Sequence, residues 1–354
     1  MNIHDEVILD GESLTFSQVL AVAYGRPGHP RVALGETARA RVARAADAVQ
    51  TLLARGTIAY GITTGFGAFK DRIIAPEQVE LLQHNILVSH AVGVGAPFDT
   101  PTTRAIMLIR ANTLARGHSG IRPATLQLLL DMLNAGVHPI IPCKGSLGAS
   151  GDLAPLAHLA LLLIGEGEAL VDGERLPGAQ ALARRGLEPI VLEAKEGLSL
   201  VNGTQFMAAA CALALVRCRR LAVAADVACA MTVEAVRGSQ TPYLPRIHEL
   251  RPLPGQAASA ANLVRLLAGS EVMESHRDCG RVQDAYSLRC APQVAGGVRD
   301  TISHARLVAG RELAASVDNP VVLPDGRVES NGNFHGAPVA YVLDFLAIVA
   351  ADLG

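Results

Sequence analysis

The chain lacks tryptophan, and aromatic residues make up only 3% of its 354 positions. Charge is also sparse, with 18% charged residues and a formal net charge of −2. Proteins that bind nucleic acid or anionic membranes carry a basic surface, and this composition does not supply one. We therefore expect neither nucleic acid nor a membrane among its partners.

Cysteine pairs are missing as well, because none of the six cysteines forms a Cys-x-x-Cys motif. Scattered cysteines in a long chain are typical of buried free thiols and not of a disulfide framework or a zinc site. The first residues include no basic segment followed by an apolar run, and the longest apolar runs, 156–164 and 206–216, are too short to cross a bilayer. We predict a cytoplasmic protein without a bound metal or nucleotide.

Helix-forming patterns dominate what is present. Between Pro123 and Gly136 the spacing predicts one buried helical stripe, formed by Leu126, Leu129, Leu130 and Leu133. Two alanine-rich segments, 205–236 and 257–267, combine high helix propensity with small side chains that allow close packing. The sequence therefore predicts a mainly α fold.

Short extended pieces are expected near 169–174 and 186–193, where Gly and Pro interrupt brief Val and Leu runs. A length of 354 residues fits about two domains. We place the boundary near residue 204, between an N-terminal, mixed but mostly helical domain over 1–204 and a bundle of long central helices over 205–354. The apolar helix predicted at 339–354 stops without a polar tail, so we expect a C-terminal truncation.

The most distinctive chemistry lies in Gly148-Ala149-Ser150-Gly151-Asp152. If the amide nitrogen of Gly151 attacks the carbonyl carbon of Ala149 and water is lost, Ser150 becomes an exocyclic methylene on a five-membered methylidene-imidazolone ring. Glycine suits the attacking position because it has no side chain to block the approach. An amide nitrogen is a poor nucleophile, so the fold must hold this loop compressed or twisted.

Two ordinary interpretations compete with ring formation. The glycines at 145, 148 and 151 fit a flexible surface loop, and a glycine-rich turn that opens a helix also resembles a phosphate-binding loop. The phosphate-loop version lacks the Lys-Ser/Thr that should follow, and no strong strand precedes it. Segments elsewhere in the chain decide between these interpretations.

Three segments in the first 205 residues carry candidate functional side chains. Residues 60–67 place Tyr60 in a glycine-rich loop, which suits a lid whose phenol acts as acid or base, although a packed turn is commoner. His90 can exchange a hydrogen bond with an imidazole, but a satisfied core histidine is its ordinary role. Asn202 precedes a long helix, where Asn or Thr routinely serves as an N-cap.

Two later segments add a cation and aromatic rings. Gln283, Tyr286 and Arg289 follow one another at a spacing of three, and Arg289 suits a bidentate clamp on a carboxylate. An ion pair with Asp284, or exposure to solvent, is the alternative for this arginine. Phe334 lies in the polar turn 330–336, which by itself indicates only a loop.

Together and in this order, these segments resemble the aromatic amino acid ammonia-lyase family, whose members form a methylidene-imidazolone (MIO) group from an internal Ala-Ser-Gly. The resemblance implies an architecture like that of fumarase and aspartase, with MIO formed autocatalytically from Ala149-Ser150-Gly151. It covers the chain almost end to end, in the Tyr60 loop and in residues 85–95, 104–122, 145–155, 202–205, 245–256, 283–290 and 318–334.

The resemblance also implies roles for single residues. Tyr60 would remove the β-proton of an amino acid substrate, while the MIO methylene adds to the amino group and makes it a better leaving group. Arg289 would bind the substrate carboxylate, and Asn202 would lie near the ring and the amino group. Further pocket roles fall to Gln283, Tyr286 and the aromatic wall Phe334.

The dipeptide Ser89-His90 indicates the substrate, because members acting on histidine carry Ser-His where those acting on phenylalanine carry Phe-Leu and those acting on tyrosine carry His-Leu. His90 would then contact the imidazole of L-histidine, and loss of ammonia would give trans-urocanate. The resemblance further implies a homotetramer with active sites shared by three subunits, and a C-terminal continuation with a glutamate that contacts the imidazole. The alternatives are an aminomutase on the same prosthetic group and a truncated, catalytically silent assembly fragment.

Overall fold

The computed structural model describes residues 5–354, and helices dominate it. The predicted mainly α class is confirmed. The helices are α1 (Phe16–Tyr24), α2 (Glu36–Ala54), α3 (Val79–His90), α4 (Thr100–Ala115), α5 (Pro123–Ala135), α6 (Leu153–Leu163), α7 (Gly178–Ala183), α8 (Glu196–Val201), α9 (Gln205–Ala235), α10 (Pro245–His248), α11 (Pro254–Leu266), α12 (Glu271–Glu274), α13 (Tyr286–Arg289), α14 (Ala291–Leu313) and α15 (Ala337–Leu353), with 3-10 turns at Gly67–Phe69, Pro76–Gln78 and Thr241–Tyr243.

The strands are short and form small ladders. The extended piece predicted near 169–174 is confirmed and belongs to a hairpin, but the piece predicted at 186–193 is wrong, since residues 187–193 form no strand. Pairing is parallel between β1 (Glu6–Leu9) and β2 (Arg31–Leu34), and antiparallel between β3 (Val94–Pro97) and β5 (Pro142–Lys144), between β4 (His138–Pro139) and β6 (Glu168–Val171), between β6 and β7 (Glu174–Pro177), and between β8 (Val321–Val322) and β9 (Val328–Glu329).

The leucine stripe predicted between Pro123 and Gly136 is helix α5. Pro123 occupies the first turn, and Gly136 follows the last helical residue as the C-cap. The stripe is at most 1% exposed at each of its four positions, Leu126, Leu129, Leu130 and Leu133. The 3.6-residue period of a helix was sufficient to predict these buried positions, because burial along α5 follows the same period.

The chain divides into two compact units. Unit 1 comprises Met1–Ala210 and Ala309–Val339, and unit 2 comprises Cys211–Val308 and Ala340–Gly354. The domain boundary near residue 204 stays a prediction.

Helix α4 lies at the centre of unit 1, since residues 102–115 are all buried. Helices α1, α2 and α5 pack against it. Its buried Arg104 donates Nε–H to the carbonyl of Val22 at 2.7 Å and an Nη1–H to Nε2 of His138 at 3.2 Å. Burial, together with this guanidinium, lowers the pKa of His138 to about 4, so the ring is the neutral acceptor of that bond.

Helices α3, α6 and α8 form a second packed group in unit 1. Helix α3 ends at His90, α6 begins just after Asp152, and α8 ends just before Asn202. The packing of α3, α6 and α8 therefore brings together three chain segments that are far apart in sequence.

Unit 2 has a smaller apolar core of its own. The phenol of Tyr243 is buried there and donates to the carbonyl of Leu288 at 2.8 Å. A buried carboxylate, Asp226, accepts from Ser259 and Asn262, each at 2.6 Å, and pairs with Arg299. The apolar cluster consists of Ala230, Val233, Tyr243, Leu263, Leu267 and Met273.

One helical stretch, Glu196–Ala235, is long and apolar enough to cross a membrane by length and composition alone. Of its most apolar window, 83% is buried inside the protein. A buried core helix passes the same test, so this stretch is weak evidence for a membrane span.

All six cysteines are free, as the sequence predicts. The expectation that they are buried is confirmed only for Cys211, since Cys218, Cys229 and Cys290 are partly buried. It is wrong for Cys143 and Cys279, which are exposed. Cys143 lies in β5 and Cys279 in a loop of unit 2, so neither belongs to the buried face of a helix.

The buried carboxylate of Glu196 ties the start of α5 to α8. It is 1% exposed and accepts from the backbone N–H of Arg122 (3.0 Å), the guanidinium of Arg122 (2.6 Å) and the hydroxyl of Thr125 (2.6 Å). Because several donors would lose their acceptor at once, we predict that Glu196→Ala lowers the free energy of unfolding by about 3–5 kcal/mol.

Glu193→Ala is the matched control, because the carboxylate of Glu193 also pairs with Arg122 but is 44% exposed. Its loss should cost less than about 1 kcal/mol. Urea denaturation of the two variants measures the difference, and equal losses would contradict a special role for Glu196.

Candidate active site

The Ala-Ser-Gly loop, residues 145–152, leads from β5 into α6 in unit 1. Ala149 is exposed, whereas Ser150 is only 2% exposed and Asp152 is completely buried. Gly151 has a φ of +85°, in the left-handed region that favours glycine. The loop is therefore turned sharply at the residue that would supply the attacking nitrogen.

Two long-range hydrogen bonds fix this loop, one at Ser150 and one at Ala149. The hydroxyl of Ser150 donates to the carbonyl of Gly203 at 2.5 Å. The backbone N–H of Gly336 donates to the carbonyl of Ala149 at 2.8 Å. The tripeptide is thus held against two other segments, which favours a fixed conformation over a flexible surface loop.

Asp152 anchors the loop to the N-terminus of α9. Its carboxylate accepts the backbone N–H of Phe206 at 2.7 Å and, more weakly, that of Met207 at 3.4 Å. Burial raises the pKa of Asp152, while these N–H groups and the Arg110 guanidinium act in the opposite direction. The sequence suggested that Asn202 or Thr204 caps the N-terminus of α9. The capping carboxylate is instead that of Asp152, 54 residues before Phe206. The Thr204 hydroxyl donates to Glu312.

Close packing leaves no room for larger residues beside the tripeptide. A Cβ on Gly151 would lie 3.0 Å from Sδ of Met207, and a Cβ on Gly336 would lie 2.6 Å from the carbonyl oxygen of Ser150. Both distances are at or below the closest that a real Cβ tolerates. Gly336 therefore allows its backbone to approach that of Ser150, and Gly151 allows the loop to pack against the Met207 side chain.

Asn202 continues the site from the end of α8. Its side-chain nitrogen donates to Asp318 Oδ1 at 3.2 Å and to the carbonyl of Asn319 at 3.1 Å. The backbone carbonyl of Asn202 accepts a hydrogen bond from the buried guanidinium of Arg110 at 3.0 Å. Asp318 in turn pairs with Lys195 at 2.9 Å, and both of these side chains are completely buried.

Tyr60 lies in a turn that reaches His90. The phenol oxygen accepts the backbone N–H of Gly67 at 3.3 Å, which fixes its direction. The ring of Phe66, in the same loop, meets the ring of His90 edge-on with centroids 6.5 Å apart. The structure therefore brings the Tyr60 loop and His90 together.

His90 is the last residue of α3, and its tautomer follows from its partner. Nδ1 lies 2.8 Å from the carbonyl of Ile86, and a carbonyl only accepts hydrogen bonds. Nδ1 therefore carries a hydrogen, so that Nε2 is the acceptor in the neutral form of the ring. The chain after α3 also touches the Ala-Ser-Gly loop, since a Cβ on Gly145 would lie 3.1 Å from Cα of Gly93.

Phe334 is half-buried in the turn between β9 and α15. Gly336, two residues later, supplies the hydrogen bond to Ala149. The predicted site residues of unit 1 thus belong to segments in mutual contact, namely Tyr60, His90, Ala149, Ser150, Gly151, Asn202 and Phe334.

Three further predicted residues belong to unit 2. Gln283 and Tyr286 are exposed, the latter by 74%. Arg289 stacks its guanidinium over the Tyr286 ring at 4.7 Å and donates Nε–H to the backbone carbonyl of Asp284 at 3.1 Å. The Asp284 carboxylate pairs with Arg281 instead, so the ion pair considered for Arg289 is not formed within residues 5–354.

Sequence reasoning missed three buried charged residues of the site, Arg110, Lys195 and Asp318. Arg110 did carry a signal, because it interrupts an apolar helical segment and a charge at such a place is buried with a partner. Lys195 and Asp318 are 123 residues apart in loops, where no periodicity indicates burial. Burial lowers the pKa of Arg110 to about 10.

The comparisons with known proteins identify the family of the chain. A family model described as aromatic amino acid lyase matches residues 14–354. The chain belongs to the aromatic amino acid lyase family. The predicted resemblance and the predicted class, a carbon–nitrogen lyase, are confirmed.

Curated relatives are similar over nearly the whole chain. A histidine ammonia-lyase of Chloroflexus aurantiacus is 62% identical over 99% of this chain and 67% of its own length. One from Gloeobacter violaceus is 57% identical over 99% of this chain and 68% of its own length. The chain thus spans about two thirds of the length of these relatives.

Solved structures share the fold. The histidine ammonia-lyase from Trypanosoma cruzi superposes with a TM-score of 0.87 at 42% identity, covering 98% of this chain and 65% of that one. A tyrosine aminomutase from Streptomyces globisporus superposes with a TM-score of 0.89 at 38% identity, covering 98% and 69%. Lyases and aminomutases therefore share this architecture.

Proposed function

We propose that this chain catalyses the non-oxidative elimination of ammonia from L-histidine to give trans-urocanate. The observation that carries the proposal is the buried Ser150 in a sharply turned Ala-Ser-Gly loop, held at Gly203 and Gly336. Histidine as the substrate is supported by His90, whose Nε2 is left as an acceptor, and by the 62% identity to a histidine ammonia-lyase.

The residues around the loop fit an MIO group. Ring closure would join the Gly151 nitrogen to the Ala149 carbonyl carbon, with loss of one water from that carbonyl and one from the Ser150 side chain. Gly151 leaves the approach open, and the packing against Met207 supplies the constraint that a poor nucleophile needs. When present, MIO supplies an electrophilic methylene that makes the substrate amino group a better leaving group.

The remaining groups bind, orient and move protons. Arg289 binds the substrate carboxylate, a role supported by a guanidinium that is stacked on Tyr286 and forms no ion pair within residues 5–354. Tyr60 removes the β-proton, and its phenol is oriented by the Gly67 N–H. Asn202 lies beside the amino group. The further pocket residues of the proposal are Gln283, Tyr286 and the aromatic wall Phe334, which need not come from one chain of the proposed homotetramer.

His90 accounts for selectivity between aromatic substrates. An acceptor at Nε2 binds the N–H of a substrate imidazole, and a phenyl ring has no such donor in its plane. A site built around such a bond rejects rings that leave the acceptor unpaired.

A second candidate function is an aminomutase, which would return ammonia to the β-carbon. The TM-score of 0.90 to a tyrosine aminomutase favours it as an alternative. Product analysis after incubation with L-histidine separates the two functions, because urocanate accumulates only if ammonia leaves. A chain that makes neither product would fit the silent assembly fragment.

A homotetramer in the cytoplasm completes the proposal. Unit 2 exposes apolar stripes on two helices: Val223, Val227 and Met231 on α9, and Tyr341, Phe345 and Ile348 on α15. Their spacings, i, i+4, i+8 and i, i+4, i+7, place each stripe on one face of its helix. Faces of this kind are usually covered by a partner, and we assign a second copy of this chain.

We predict that Ser150→Ala abolishes urocanate formation, because the hydroxyl to be lost as water is gone. Intact mass spectrometry should show the wild-type chain lighter by two waters and the variant without the loss of the second. Ser146→Ala, in the same loop, should keep both the mass loss and the activity. Full activity of Ser150→Ala would rule out the proposed prosthetic group.

We predict that His90→Leu lowers kcat/KM for L-histidine about 10- to 100-fold, since an unpaired buried polar group costs about 1–3 kcal/mol. His84→Leu is the control on the same helix, because His84 is 41% exposed and pairs with Glu166. Steady-state kinetics on histidine and phenylalanine test both variants, and an unchanged preference in His90→Leu would refute the selectivity role.

We predict that Met231→Glu, which places a charge on the α9 stripe, shifts the protein from tetramers to smaller species. The desolvation of a carboxylate opposes burial at an interface. Arg44→Glu, on the exposed side of α2, should leave the mass unchanged. Size-exclusion chromatography with light scattering measures both, and a monomeric wild-type protein would contradict the assembly.

A further inference from the structure

A group of buried polar side chains lies behind Asn202. Lys195 and Asp318 are completely buried, and Asn202 is 6% exposed. Lys195 Nζ donates to Asp318 Oδ2 at 2.9 Å, and Asn202 Nδ2 donates to Asp318 Oδ1 at 3.2 Å. A lysine, a carboxylate and an amide thus form a continuous chain that ends at a residue of the proposed site.

The direction of the Asn202 amide follows from the chemistry of its neighbours. The carboxylate of Asp318 and the backbone carbonyl of Asn319 face the amide, and the amide atom near them must therefore be the NH₂ group. Both amide hydrogens are used in these two bonds. The amide oxygen accepts no hydrogen bond from the residues described, 5–354, and is left as the acceptor.

Asp318 is itself held from several sides. Its Oδ1 also accepts the backbone N–H of Asn319 at 2.7 Å. Lys195 bonds Ser199 Oγ at 2.9 Å, and the Ser199 hydroxyl donates to the carbonyl of Ser119 at 2.7 Å. The carboxylate therefore has little freedom to rotate, and it imposes that restriction on the Asn202 amide.

The backbone around Lys195 carries a strain that favours a role for it. Lys195 has a φ of +71°, in the left-handed region that residues other than glycine rarely adopt. Burial lowers the pKa of its ammonium, while the nearby Asp318 acts in the opposite direction. A strained, buried lysine persists only where its surroundings demand that conformation, and such residues cluster at functional sites.

We propose that Asp318 and Lys195 are positioning residues, which fix the Asn202 amide so that its oxygen accepts an N–H from the α-amino group of the substrate. This inference rests on the proposed function. A freely rotating amide would present its NH₂ group to the substrate ammonium for part of the time, and two donors repel each other.

A purely structural ion pair between α8 and the segment before β8 is the competing explanation. It predicts that loss of Asp318 harms the protein equally whether or not Asn202 is present. Positioning predicts coupling, because the effect of Asp318 is then transmitted by Asn202 alone.

The test compares Asp318→Ala, Asn202→Ala and the double variant in the full chain. We expect kcat/KM for L-histidine to fall about 10- to 100-fold in each single variant, and less than about twofold further when Asp318→Ala is added to Asn202→Ala. Asp47→Ala, an exposed aspartate on α2, is the control and should be unchanged. Additive losses in the double variant would overturn the inference.

A second pair of variants covers the case in which Asp318→Ala does not fold. Lys195→Met with Asp318→Asn removes both charges but keeps a carbonyl oxygen for the Asn202 amide, whereas Lys195→Met with Asp318→Leu keeps the volume without the acceptor. We expect the first pair to retain kcat/KM within about fivefold and the second to lose as much as Asn202→Ala. Equal activity in the two pairs would overturn the inference.

Binding supplies a readout that does not depend on turnover. Calorimetric titration of L-histidine into Ser150→Ala, alone and combined with the same variants, should show the same coupling between Asp318 and Asn202. If single losses are large but additive, the proposed function stands and only the positioning role fails. If the wild-type chain neither makes urocanate nor binds histidine, the proposed function fails, and the substrate role of these residues fails with it.

Discussion

The contact between the Asp152 carboxylate and the N-terminus of α9 sets the position of the Ala-Ser-Gly loop. The first N–H groups of a helix have no partner within the helix and carry a partial positive charge, so they favour a carboxylate beside them. With Asp152 held at 2.7 Å from the Phe206 nitrogen, Ser150 reaches the Gly203 carbonyl and Gly151 lies against Met207. The candidate site is built outward from this helix end.

Side chains of the site are oriented largely by backbone groups. A backbone partner cannot change rotamer, so it fixes direction better than a mobile side chain does, and fixed dipoles need little reorganisation during a reaction. The pairs are Ser150 with the Gly203 carbonyl, His90 with the Ile86 carbonyl, Tyr60 with the Gly67 N–H and Asn202 with the Asn319 carbonyl.

Local patterns in the sequence predicted the parts of the structure that depend on local order. Helix α5 was predicted with its ends because proline, glycine and the leucine period all lie within fourteen positions, 123–136. The chemistry of Ala149-Ser150-Gly151 was readable because it depends on adjacent atoms. The capping of α9 by Asp152 and the pairing of Lys195 with Asp318 were not, since they join positions 54 and 123 residues apart that no repeat connects. For the same reason the extended piece expected at 186–193 found no partner strand.

The hydrogen bond from Gly336 to Ala149 joins residues that the ribosome makes at very different times. A nascent chain that has emerged only through α9 already contains the tripeptide, Asp152 and the Gly203 turn, yet lacks the donor that holds the Ala149 carbonyl. The reactive loop therefore reaches its final constraint only after residues up to 336 have been synthesised and folded back. If the proposed prosthetic group needs this constraint, its maturation is tied to a late step of folding.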